Sequence, residues 1–210
     1  MNTFHVQNPT SEDNLIRALS SFVAKAKAAN IPLDEFSHAV REYFSSAETE
    51  VNDRAGDNPI SDPTTYMARR EISGAVYSVF KLSSASEGIV LPDDIKISTF
   101  FSAMLRHAVR AICIANDIYS FRKECQESIP DNLIVVNMEK AGLPVENSVK
   151  KVINLHDIEV TLYLKDKQKV MRLYNDYQDV LTKLCEIYER WMDSNHDFSS
   201  TSIRYILPST

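Results

Sequence analysis

Apolar residues recur along this chain at intervals of three and four, the spacing of a single helix face, rather than in strict alternation. In "PTSEDNLIRALSSFVAKAKAA" a capped start from Pro9 precedes Leu15, Leu19, Phe22 and Val23 on one face. A second helix begins near Pro32 and runs through "EFSHAVREYFSSAETEV", turning Phe36, Val40, Tyr43 and Phe44 inward. "NDRAGDNPISDP", residues 52–63, concentrates Asn, Asp, Gly and Pro and is predicted to be a loop. Helical spacing resumes in "TTYMARREISGAVYSVF", where Gly74 costs up to about 1 kcal/mol relative to alanine and so signals a break or a close backbone approach. "SSASEGIVLPDD" reads as another loop, and a long apolar helix follows over residues 95–127. Two or three more helices open at Leu143 and Pro144 and break near Asp166, and the tail "SNHDFSSTSIRYILPST" reads as polar loop. The pattern predicts an all-α fold.

Composition narrows the chemistry. Only four glycines occur in 210 residues, which removes the glycine-rich phosphate loops of nucleotide-binding folds. Length and the absence of repeats or long linkers predict a single domain over residues 1–210. With 29 acidic against 23 basic residues and no basic block, nucleic acid and anionic lipid are not expected partners. No apolar run reaches the roughly 18 residues of a membrane span, and the N-terminus lacks a secretion signal. Cys113, Cys125 and Cys185 are odd in number and lack CxxC spacing, as reduced thiols do. A cytoplasmic protein is expected.

One stretch breaks the apolar rule. On a helical wheel Leu105, Ala108, Val109 and Ile112 define a stripe, and Asn116, Tyr119 and Ser120 continue it with Glu124 at its edge. An amide oxygen, a hydroxyl and a carboxylate are hard donors of the kind Mg²⁺ selects. Across eight residues the backbone rises about 12 Å, but Glu124 has the longest side chain and leans back towards the N-terminus, so one ion is within reach. The same spacing also fits a purely structural arrangement, with Ser120 bonded to a preceding carbonyl, Asn116 to a neighbouring helix and Glu124 solvated beside Arg122 and Lys123. Likewise Arg69 and Arg70, taken alone, read as surface residues pairing with Glu71 or other acids.

"NDIYSFRKE", residues 116–124, nevertheless resembles in detail the NSE metal motif of class I terpene synthases. The resemblance implies that Asn116, Ser120 and Glu124 hold a Mg²⁺ ion, with Mn²⁺ as the alternative, that bridges to a substrate diphosphate, while Asp117 points elsewhere. Upstream, "PTTYMARREISG" is similar to the segment in which an arginine senses diphosphate ahead of a helix break, implying Arg70 as sensor, Ser73 as linker and Gly74 as effector, with Arg69 the rival sensor. Downstream, "RWMDSNHDFSSTSIRY" resembles the family's closing segment, implying that Arg204 and Tyr205 close over the diphosphate; Lys123 joins them by its place in the KE ending. Trp191 is expected in the core, and Tyr77, Phe80 and Tyr119 are candidates for stabilising cations through their ring faces.

The resemblance covers most of the chain, from about residue 10 to Tyr205. It implies a class I terpenoid synthase-like helical bundle that is incomplete relative to the family, corresponding to its C-terminal portion. The implied activity is Mg²⁺-dependent ionisation and cyclisation of a linear prenyl diphosphate, C15 favoured over C10 or C20. The family's second, aspartate-rich metal motif has no counterpart among the 69 residues before Arg70, and Asp93 and Asp94 lie on the wrong side of it. The chain therefore resembles a shortened member of the family. Two further implications follow: a homodimer or complementing subunit as partner, or an inactive helical protein that binds diphosphate or another protein.

Overall fold

The computed structural model describes residues 14–55, 62–126 and 131–205, and every regular element among them is helical. The helices are α1 (Asn14–Ala28), α2 (Asp34–Ala55), α3 (Pro63–Ser73), α4 (Val76–Ser86), α5 (Asp93–Lys96), α6 (Thr99–Glu124), α7 (Leu133–Ala141), α8 (Val145–Leu173) and α9 (Gln178–Thr201). Helix α6 is the axis of the bundle. Its 26 residues span about 39 Å, and α3, α4, α7, α8 and α9 all pack against it.

Two apolar clusters meet on α6. One joins Phe80, Ile95, Met104, Val109, Tyr163, Leu181 and Tyr188 from α4, α5, α6, α8 and α9. The other joins Tyr66, Met67, Ile114, Leu133, Ile134 and Val152 from α3, α6, α7 and α8. Burial of one large apolar side chain contributes about 1.5–3 kcal/mol, so these clusters supply the main attraction holding the helices together. Ionic contacts add register: Arg110 pairs with Glu71 and lies 3.4 Å from Glu159, whose other oxygen is 2.5 Å from His107 Nδ1. That chain of charges ties α3, α6 and α8. At the outside, Phe22 packs on Phe36 at 5.7 Å between ring centres, joining α1 to α2.

Several element boundaries differ from the sequence expectation. Ser98 caps α6 by accepting from the Phe101 amide, so the expected helix over residues 95–127 is divided into α5 and α6 and ends at Glu124. Helix α8 passes through Asp166 unbroken and stops only at Tyr174. The tail expected to be loop is helical to Thr201, and α4 continues through serines to Ser86. In both cases hydroxyls bond back to carbonyls of the preceding turn: Thr201 to Asp197 at 2.7 Å and Ser84 to Phe80 at 2.8 Å. Polar residues that usually compete with the helix are thereby absorbed into it.

Helix α2 extends to Ala55, into the stretch expected to turn; residues 56–61 lie outside the described part, as do residues 9–13 of the expected first cap. Phe44 is 64% exposed and Leu19 40% exposed, so neither serves the core expected of it. Trp191 is also outside the core, its indole N–H donating to Ser83 Oγ at 3.0 Å. No described helix is long and apolar enough to cross a membrane.

Candidate functional site

The site begins at a helix break. Asp62 caps α3 by accepting from the amides of Thr64 and Thr65, with Pro63 at the first helical position, and the helix then runs eleven residues to Ser73. Gly74 closes it with an ordinary φ of −72°, while Ala75 takes the left-handed conformation, φ 58°, that starts α4. The glycine therefore serves close approach rather than an unusual backbone angle. A Cβ at position 74 would lie 2.6 Å from Cys113 Sγ and 3.0 Å from the Arg70 carbonyl oxygen. Cys113 is fully buried on α6 and donates its thiol to that same carbonyl at 3.5 Å. Burial pushes this thiol up to about 12.

Two adjacent arginines leave α3 in different directions. Arg69 pairs with Asp131 and lies 3.9 Å from Asp53. Arg70 reaches α6, where Nε donates to Asp117 Oδ1 at 3.0 Å and Nη2 to Asn116 Oδ1 at 2.8 Å. Both pair with acids other than Glu71, which is held by Arg110. Burial opposes the Arg70 charge, yet Asp117, with smaller contributions from Tyr66, Cys113 and Glu124, more than offsets it and moves the guanidinium above its ordinary range. Asn116 in turn donates to Tyr205 Oη at 2.9 Å. Residues 70, 116 and 205 thus meet at one amide.

Asp117 is the hidden member of this group. It is wholly buried and accepts from Tyr66 Oη at 2.6 Å and the Leu133 amide at 3.1 Å as well as from Arg70. Burial raises its carboxyl, against the opposing pull of Arg70, the Tyr66 hydroxyl and the Leu133 amide. Tyr66 is one turn before Arg70 on α3, which brings both to the same face. Its phenol is held well above its ordinary value by burial and by Asp117.

Ser120 and Glu124 lie further along α6. Ser120 is buried, with its Oγ 3.5 Å from Asn132 Nδ2. Glu124 accepts from the same nitrogen at 2.9 Å through Oε2. Neither matches the structural alternative, since Ser120 makes no bond to a preceding carbonyl among the described residues and Glu124 is anchored rather than free in solvent. No cluster of three His, Cys, Asp or Glu side chains suited to a metal occurs among the described residues. The hard-oxygen donors at this position are Asn116, Ser120 and Glu124, and one carboxylate, one amide oxygen and one weakly partnered hydroxyl are a donor set that suits Mg²⁺.

The remaining candidates are dispersed. Lys123 shares the Asn116 face two turns on, and its amine has no bond among the described residues. Ser73 ends α3 without a side-chain bond among the described residues. Arg204 is exposed, 5.7 Å from the Tyr205 ring centre, and does not reach the Asn116 group. Phe80 stacks on Tyr188 at 4.4 Å in the core, and Tyr77 packs against the same cluster. Tyr119 lines a cavity of about 620 Å³ between α6, α8 and α9, bonded to His196 at 2.7 Å. Ala111, Ala115 and Ile118 line the same cavity, on the flank of α6 turned away from Asp117. The three aromatic candidates do not converge.

Tyr66, Cys113, Asp117 and Asn132 were missed as partners by sequence reasoning. The separation of Tyr66 from Arg70 by one turn, and an Asn immediately before the apolar run "LIVV", are the signals that point to two of them.

Residues 1–161 match the family model described as "Terpene synthase family 2, C-terminal metal binding". The chain belongs to the terpene synthase family. Among curated terpene synthases it is 30% identical over 174 residues to a (+)-T-muurolol synthase of Roseiflexus castenholzii, covering 82% of this chain and 53% of that relative. It is 24% identical to germacrene A synthase of Nostoc punctiforme, covering 93% of this chain and 61% of the relative. The terpene synthase fold is seen in the linalool/nerolidol synthase of Streptomyces clavuligerus in complex with 2-fluorogeranyl diphosphate, with a TM-score of 0.78, 20% identity and coverage of 92% of this chain and 68% of that one. The chain spans about half the length of the curated relatives it matches.

Proposed function

We propose that this chain carries the diphosphate-handling half of a class I terpene synthase, acting with Mg²⁺ on a linear prenyl diphosphate, C15 by preference. The observation that carries the reading is the meeting of Arg70, Asn116 and Tyr205, residues from three separate stretches, at one hydrogen-bonded point. Relatedness to a synthase that cyclises (2E,6E)-farnesyl diphosphate supports the C15 preference.

In this reading Asn116, Ser120 and Glu124 hold the ion. When bound, Mg²⁺ supplies Lewis-acid neutralisation of charge developing on the diphosphate oxygens. Arg70, already fully charged, offers its fork of donors to those oxygens, with Lys123, Arg204 and Tyr205 adding donors from α6 and the α9 end. The C–O bond then breaks with its electron pair leaving on the diphosphate, and the allylic cation remains on the hydrocarbon. Gly74 and Ser73, at the break where α3 becomes α4, are placed to move with Arg70 and to present backbone dipoles to that cation. Cyclisation and proton loss complete the reaction.

A second reading is a helical module that binds diphosphate or a complementing chain without turnover. It is favoured by Arg204, which is exposed and does not reach the Asn116 group, and by the Asn116 oxygen being already held by Arg70. Incubation of the chain with Mg²⁺ and C10, C15 or C20 prenyl diphosphates, with gas chromatography of products and an assay for released diphosphate, separates the two. Hydrocarbon or alcohol products with free diphosphate support the synthase; Mg²⁺-dependent binding of inorganic diphosphate without products supports the module.

A further inference from the structure

Glu124 is the final residue of α6, where a carboxylate faces the negative end of the helix dipole and where helices fray. Unrestrained, such a side chain turns to solvent. Here it is held by Asn132, which is wholly buried at the start of α7. Asn132 Oδ1 accepts from the Ile134 amide at 2.9 Å and caps α7, while Nδ2 donates to the Asp117 carbonyl at 2.8 Å and to Glu124 Oε2 at 2.9 Å. An amide NH₂ has two hydrogens, and these two short bonds use both. Ser120 Oγ, 3.5 Å from the same nitrogen, is left with at most a weak contact and keeps its lone pairs.

We infer that Asn132 is a positioning residue for the cation site: it fixes one oxygen of Glu124 so that the other faces the line of Asn116 and Ser120, and it does so without engaging the Ser120 hydroxyl. The inference rests on the reading of Asn116, Ser120 and Glu124 as the metal-holding trio. It assigns to α7 a role in the site that the trio alone does not contain. The same side chain sets the start of α7 and the direction of Glu124, so the two helices cannot shift independently without loosening the carboxylate.

The test measures Mg²⁺ affinity in the presence of inorganic diphosphate, and diphosphate affinity in EDTA, by calorimetry on the full chain. Asn132→Ser keeps an oxygen cap for α7 but is too short to reach Glu124. It is expected to weaken Mg²⁺ binding about 10- to 100-fold while leaving metal-free diphosphate affinity within about two-fold. Asn132→Thr, another oxygen cap too short to reach Glu124, is expected to do the same and serves if the serine variant does not fold. Glu124→Gln tests the underlying reading. If Glu124→Gln leaves Mg²⁺ binding intact, the trio is wrong and the inference falls with it. If Glu124→Gln abolishes binding but both Asn132 variants bind Mg²⁺ normally, or lose both affinities equally, the trio stands and the role of Asn132 is overturned.

Discussion

Arg70 Nη2 donates to Asn116 Oδ1 at 2.8 Å, so one amide oxygen is held by the guanidinium and is also the oxygen proposed to face a cation. The two roles compete for the two lone pairs of that atom. A cation taking Asn116 Oδ1 leaves Nη2 unpaired in a half-buried setting, and an incoming diphosphate oxygen is the natural acceptor. Arg70→Lys retains the charge but not the fork. It is expected to lose about 1.5–3 kcal/mol of diphosphate affinity, read by calorimetry with inorganic diphosphate and Mg²⁺.

Asp117 anchors Arg70 from beneath. Removing one partner of a buried ion pair leaves an uncompensated charge and costs about 3–5 kcal/mol. Asp117→Ala is therefore expected to lower the denaturation midpoint markedly. Tyr66→Phe, which removes one of the neutral donors to the same carboxylate, is expected to cost about 1 kcal/mol.

The approach of Gly74 to Cys113 gives a paired prediction. Gly74→Ala places a methyl group 2.6 Å from the Cys113 sulfur and is expected to destabilise by about 1–3 kcal/mol. In a Cys113→Ala background most of that loss is expected to disappear, because the sulfur is gone. Ala75→Gly, by contrast, relieves a left-handed alanine and is expected to gain up to about 1 kcal/mol. Thermal melts of the four variants and a double-mutant cycle check all three statements.

Much of this arrangement was legible in the sequence because it rests on local periodicity. The helical fold, the break at Gly74 and the alignment of Asn116, Ser120 and Glu124 all depend on spacing within one helix. What spacing could not supply was contact between helices: Asp117 as the acceptor for Arg70, Asn132 as the anchor of Glu124, or the withdrawal of Phe80 into the core beside Tyr188. The tail misled for a different reason. Its serines and threonines have loop-forming habits in isolation, but within α9 the Ser200 and Thr201 hydroxyls donate back to the Asp197 carbonyl.

Alkaline conditions are expected to unfold the chain early. Burial pushes Cys113 and Tyr77 up to about 12 and Cys185 up to about 11, and Tyr66, Tyr163 and Tyr188 are raised as well. These groups keep their protons when folded, whereas unfolded thiols and phenols lose theirs from about pH 8.5 and 10. The stabilisation is complete below those values and is lost as pH rises towards the folded ones. Melting temperature should fall steadily above about pH 9. At neutral pH, thiol reagents should modify exposed Cys125 and leave Cys113 and Cys185 unreacted until denaturant is added.

The tight fit at the α3–α4 junction also constrains how descendants of this sequence can change. A lineage that first trades the sulfur at 113 for something smaller opens room at 74 and can later accept a small side chain there at reduced cost. The opposite order must pass through a crowded ancestor. History at these two positions is therefore directional, and a larger residue at 74 should be found only where 113 has already shrunk.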